Sequence, residues 1–199
     1  MAINKTRNLL IDVARQLFAK LGVENTTMND IAMASHKGRR TLYTYFNNKN
    51  EVFQAVLESE LEQMHAALQE VANKDLPADE KLLLFFKTRF DIVKKVVARN
   101  GTLKADFFRD IWRVQNARKA YDKKEILVIK EILDKGVESG VFEMPDTQSI
   151  AGILHHALKG LELPYIRGKY NSSEESATNP ENIAFLIYEG IRKKKKEEN

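Results

Sequence analysis

The sequence predicts an all-α protein. Apolar residues recur at i, i+3, i+4 and i+7 along nearly the whole chain, which is the pattern of one buried face of a helix. No segment alternates apolar and polar residues convincingly with the period of two that marks a half-buried strand. Hydrophobic residues make up 43% and charged residues 30% of the chain, a balance that supports a packed core rather than disorder.

The elements follow in order. Leu10, Val13, Ala14, Leu17, Phe18 and Leu21 form one continuous stripe, and Gly22 ends that helix. In "TTMNDIAMAS", Thr27 and Asp30 have the spacing of a capping box, and Ile31 and Ala34 are its expected buried face. The short "RRTLYTYF" helix comes next, closed by the turn-prone "NNK". From Glu51, the positions Val52, Val56, Leu57, Met64, Leu68 and Val71 predict a long helix. "DLPADEK" breaks and restarts the chain, with Pro77 near a first turn and acids behind it. Leu82, Phe85, Phe86, Phe90, Val93 and Val97 give the following stripe, and "ARNGT" ends it. Phe107, Phe108, Ile111 and Trp112 suggest a short aromatic-rich helix, and Ile126, Ile129, Leu133 and Val137 another. Ile150, Ile153, Leu154, Ala157, Leu158 and Leu161 form a further stripe. A long polar loop then leads to a last helix carrying Ile183, Leu186, Ile187 and Ile191. The expectation is about nine helices. They divide into a three-helix unit over residues 1–50 and a helical region over 51–199, with the small unit docked on the helix that starts near Glu51.

Charge supports that division. Residues 1–50 carry eight Lys and Arg against three Asp and Glu, whereas the middle of the chain is mildly acidic and "RKKKK" makes the tail basic again. A basic N-terminal unit on an acidic body points to a polyanion partner. The chain has no cysteine, so disulfides and thiolate metal sites are excluded. The N-terminal segment lacks the apolar core of a signal peptide, and no apolar run approaches the ~20 residues of a membrane helix. The expected compartment is the cytoplasm.

The segment "HKGRRTLYTYFNNK" carries the chemistry. Lys37, Arg39 and Arg40 crowd around Gly38 where a helix begins, although cations there oppose the helix dipole. An approaching anion would reconcile the two. At ~100° per residue, Leu42 and Phe46 share one side and Arg40, Tyr43 and Thr44 the other, with Thr41 at its edge. The buried side suits Leu17, Phe18 and Ile31. The outward side offers a guanidinium that can fork onto guanine, hydroxyls for phosphates and a methyl suited to thymine. A tight turn before a basic helix entry is the form of a helix-turn-helix.

With those residues in view, the first 50 residues resemble the TetR family of bacterial regulators. The resemblance rests on Leu17-Phe18, Gly22, Thr26-Thr27, Ile31-Ala32, Thr41-Leu42-Tyr43-x-Tyr45-Phe46 and Lys49. It implies a DNA-binding unit followed by a helical ligand-binding and dimerisation region. It also implies roles. Thr27 would contact phosphate, and Arg39, Arg40, Thr41 and Thr44 would face bases or nearby phosphates. Tyr43 and Tyr45 would hold the backbone, and Lys49 would clamp a phosphate. Lys37 joins this set through its position. The departures lie in Ser35-His36-Lys37-Gly38-Arg39-Arg40. His36 replaces a turn glycine, Lys37 a buried valine and Gly38 a serine cap. His tolerates positive φ better than most residues, so the turn is expected to survive, more basic and less tightly packed.

In the C-terminal region, Phe86, Phe90, Phe107, Phe108, Trp112, Tyr121 and His155 are candidate lining for an apolar effector, with Arg89, Arg113 and His156 as further polar anchors. Most of the aromatics equally suit core packing. The pair His155-His156 points two ways and has poor metal geometry. Ile150, Ile153, Leu154, Ala157, Leu158, Leu161, Leu186 and Ile187 are the candidate interface of a homodimer, formed as a four-helix contact across a two-fold axis. No set of nucleophile, base or metal ligand converges, and no cofactor is expected. The leading expectation is a ligand-responsive repressor acting on a double-stranded operator. A helical carrier or enzyme with a basic module, and a DNA binder without ligand control, are the alternatives.

Overall fold

A computed structural model describes residues 2–99, 111–167 and 180–191. Among them lie eight helices: α1 (Ala2–Leu21), α2 (Met28–Ala34), α3 (Arg39–Tyr45), α4 (Lys49–Ala72), α5 (Ala78–Arg99), α6 (Ile111–Glu138), α7 (Thr147–Arg167) and α8 (Pro180–Ile191). No strand occurs among the described residues. The all-α expectation holds. The helix count differs because Phe107 and Phe108 lie outside the described residues, while Ile111 and Trp112 open a single continuous α6. That helix runs through "ARKAYDKKE", which has good helix formers and little apolar pattern to announce it.

The chain forms two compact units. One is drawn from Met1–Gln63 and Lys95–Ala120, the other from Met64–Lys94 and Tyr121–Asn199. The helix α4 gives its first half to one core and its second half to the other. In the first unit, Leu10, Ala14 and Phe18 of α1 pack with Ile31 and Ala32 of α2, Leu42 of α3 and Val52, Phe53 and Val56 of α4. The Phe18 and Phe53 rings meet edge to face at 6.0 Å. The buried face of α2 is Ile31 and Ala32; Ala34, expected there, is exposed.

The second unit is built on Leu82, Phe85, Phe86 and Phe90 of α5, Val128, Ile129, Ile132 and Leu133 of α6, and Leu154 and Leu158 of α7. The adjacent Phe85 and Phe86 are both fully buried. Their edge-to-face rings, 6.3 Å apart, show that α5 is covered over a wide arc.

Candidate nucleic-acid interface

Three local devices set the pose of α3. The first is the start of α2. The Thr27 hydroxyl accepts from the Asp30 amide at 3.1 Å, and the Thr27 amide donates to Asp30 Oδ2 at 2.8 Å, so the capping box expected from the sequence is formed. The Thr27 hydroxyl also donates to Asp30 Oδ2 at 2.7 Å. These hydrogen bonds hold the exposed Asp30 carboxyl below its usual pKa.

The second device is the turn itself. The His36 amide donates to the Met33 carbonyl at 3.1 Å and the Lys37 amide to the Ala32 carbonyl at 3.0 Å. This is the Schellman pattern, which needs a left-handed residue after the helix cap. His36 supplies it with φ 52°, as its replacement of a glycine implied. Gly140 fills the same role after α6, at φ 72°.

The third device is the seating of α3. Leu42 is fully buried and Phe46 nearly so, and the Arg7 guanidinium lies 5.4 Å from the Phe46 ring centroid. Arg39, Arg40, Tyr43 and Thr44 are exposed, and Lys37, Thr41 and Tyr45 are half-buried. Tyr45 packs against the first unit's core. Gly38 caps α3 with no side-chain hydrogen bond, and no acid occupies its first turn. Of the nine expected DNA-contacting residues, Lys37 through Thr44 thus fall on or beside one basic, hydroxyl-bearing surface.

Lys49, the expected phosphate clamp, also makes contacts within the protein. Its Nζ donates to the carbonyl oxygens of Val23 at 2.6 Å and Glu24 at 3.0 Å. Nearby, the Asn47 amide donates to Glu51 Oε2 at 2.8 Å, which with the Asn47 side chain holds the Glu51 carboxyl below its usual pKa. Lys49 therefore ties the start of α4 to the turn after α1, with one ammonium hydrogen left over.

In the second unit, His155 belongs to a buried chain of charge. Arg89 Nε donates to Glu125 Oε1 at 2.7 Å, and His155 Nδ1 lies 3.0 Å from the same oxygen. His155 Nε2 lies 3.6 Å from Asp122 Oδ1, and Lys159 Nζ donates to Asp122 Oδ2 at 2.6 Å. Arg89 and His155 are fully buried. Burial pushes the Glu125 carboxyl up, but Arg89 and His155 more than reverse this and hold it below its usual value. Burial pushes His155 down, but Asp122 and Glu125 more than reverse this and raise it. Sequence reading found Arg89 and His155 but missed Glu125, Asp122 and Lys159.

The other effector candidates are scattered in kind. Phe86 and Phe90 are close-packed core. Tyr121 is half-buried, edge-on to His65 at 6.4 Å. Phe107 and Phe108 lie outside the described residues, as do the side chains of Trp112 and Arg113.

The dimer candidates divide between buried and exposed positions. Leu154 and Leu158 are in this unit's own core, and Ile150 and Leu161 pack against it. Their i, i+4, i+8 stripe is the inward face of α7. Ile153 at 62% and Leu186 at 73% are exposed, as is Ala157. Phe185, not expected, is 62% exposed beside Leu186. The Ile187 side chain lies outside the description.

Known proteins match this arrangement. Residues 10–56 match the family model described as bacterial regulatory proteins, tetR family. The chain is 24% identical over 160 residues to the HTH-type transcriptional regulator YhgD of Bacillus subtilis, covering 77% of this chain and 80% of that protein. It is 47% identical over 49 residues to the probable acrEF/envCD operon repressor of Escherichia coli, covering 25% of this chain and 22% of that protein. A crystal structure of a transcriptional regulator from Cytophaga hutchinsonii shares the fold, with a TM-score of 0.78, 23% identity and coverage of 94% of this chain and 98% of that one.

Proposed function

The chain belongs to the TetR family of bacterial regulatory proteins, and from that premise we propose that it is a homodimeric repressor which grips a two-fold operator through α3 and is released by a small molecule. It is a DNA-binding transcriptional regulator, and catalysis has no part in its activity.

The observation that carries the reading is the division of α3. Leu42 locks one side to the first unit's core while Arg40, Tyr43 and Thr44 stand exposed on the other. A helix so held presents its outer side chains to a major groove. Arg40 takes a guanine edge. Lys37 and Arg39 neutralise phosphates beside it, and Thr41 reaches a base or phosphate from the edge. Tyr43 and Tyr45 hold the backbone through their hydroxyls. The remaining Lys49 hydrogen supplies a flanking phosphate contact, whereas the Thr27 hydroxyl and amide both donate to Asp30.

A two-fold reader needs two such helices ~34–36 Å apart. Ile153, Ala157 and Leu186, joined by Phe185, supply exposed apolar surface for pairing α7 and α8 with a second copy. The effector is small and largely apolar, and it enters the second unit near Phe86, Phe90, Tyr121 and His155. It acts by favouring a dimer whose α3 helices are misplaced for the operator, which requires it to bind that state more tightly. Repression rather than activation is supported by the relative named as an operon repressor. The compartment is the cytoplasm, consistent with the lack of any described helix long and apolar enough to cross a membrane.

A gel-shift with DNA from upstream of the protein's own gene, run at rising salt, tests this reading. The expected result is a sequence-preferring shift that weakens steeply with salt. Binding that is absent, or indifferent to sequence, overturns it.

A further inference from the structure

We infer that Thr44 is a specificity-determining residue that reads a thymine methyl group by apolar contact, not by hydrogen bonding. The inference rests on α3 being the recognition helix and adds the chemistry of its central position.

Thr44 follows the fully buried Leu42 by two residues, a rotation of about 200°. It therefore lies across the helix from the side that packs on the core, and it is exposed. Arg40 stands one turn earlier on the same side, and Tyr43 flanks it. The two long side chains leave a short one between them, where the backbone of α3 can come closest to a base edge.

The Thr44 hydroxyl is already engaged. It donates to the Arg40 carbonyl at 2.9 Å, and a hydroxyl has only one hydrogen. Thr44 thus has no donor for guanine or adenine N7, for guanine O6 or for thymine O4. The oxygen keeps lone pairs that can accept from an adenine or cytosine amine, a contact that Thr44→Val would abolish; the γ-methyl is suited to the one methyl the major groove presents, that of thymine. Because Arg40 and Thr44 are ~6 Å apart along the helix, that thymine falls within about two base steps of the guanine taken by Arg40.

The test begins by enriching duplexes from a random library with the full-length protein. The best duplex is then remade with each thymine replaced singly by uracil, which removes only the methyl. Wild type is expected to lose about fourfold in affinity at one thymine per half-site. Thr44→Val keeps both the affinity and that sensitivity. Thr44→Ser binds the thymine and uracil forms equally. Weak binding by Thr44→Val, a Thr44→Ser that still discriminates, or no thymine sensitive to replacement each overturns the assignment. Failure to enrich any sequence would instead defeat the DNA-reading function beneath it.

Discussion

The Lys49 ammonium donates to the Val23 carbonyl at 2.6 Å, bridging the start of α4 to the turn between α1 and α2. With the second bond to Glu24, this makes Lys49 a brace of the DNA-binding unit before it is anything else. Lys49→Met is expected to lower stability by about 1.5–3 kcal/mol, the usual range for hydrogen bonds to a charged group. Urea unfolding followed by circular dichroism reads this directly. An unchanged midpoint with weakened DNA binding would return Lys49 to a purely phosphate-binding role.

His36 holds a backbone conformation that L-residues other than Asn, Asp and His rarely adopt. His36→Ala should therefore be less stable than His36→Gly by about 1 kcal/mol, since only glycine enters the left-handed region without a Cβ penalty. Comparison of the two thermal midpoints measures it, and equal midpoints would mean that the turn relaxes out of its Schellman form.

The charge chain through Glu125 and His155 makes stability depend on pH in both directions. His155 has a folded pKa above its ordinary 6.5, so its contribution is full below 6.5 and is lost as pH rises through the folded value. Glu125 has a folded pKa below its ordinary 4.5, so its contribution is full above 4.5 and is lost as pH falls through the folded value. The two together place the stability maximum between 4.5 and 6.5. Urea midpoints measured across this range and up into alkaline pH should fall above 6.5 in wild type. His155→Gln should lack that fall, and an identical profile for the two proteins would detach His155 from the effect.

The exposed residues of α7 and α8 and the buried residues of α7 predict opposite phenotypes. Ile153→Glu and Leu186→Glu should leave the fold intact and shift the protein to a monomer in light scattering. Leu158→Ala should instead cost about 2–5 kcal/mol of stability by opening a core cavity, with the oligomeric state unchanged in the folded fraction. A dimer that survives both glutamate substitutions would place the interface elsewhere.

Much of this was legible from side-chain spacing. The stripes of α1, α4 and α5, the stop at Gly22 and the Thr27–Asp30 cap follow from local rules that tertiary contacts leave untouched, while the turn at His36 came from the family resemblance, which places a glycine there. What was illegible depends on partners distant in sequence. A seven-residue α2 has too few repeats to separate Ala32 from Ala34. The α7 stripe announced a buried face but not what buries it, so Leu154 and Leu158 were equally compatible with a dimer contact. Arg89 and Glu125 each occupy an apolar stripe, Arg89 between Phe85 and Val93 and Glu125 before Ile129 and Ile132. A charge at such a position was the available sign of a buried ion pair. Lys49 carried no comparable sign, because its acceptors are backbone carbonyls.

The central claim is that the exposed side of α3 reads DNA. Its most direct measurement is the ratio of affinities for the enriched duplex and a scrambled one, in wild type and Arg40→Ala. A bidentate arginine contributes ~1–3 kcal/mol of base discrimination, so the substitution should cut the ratio by roughly five- to 150-fold while affinity for scrambled DNA changes far less. An Arg40→Ala protein that keeps the wild-type ratio would contradict the account.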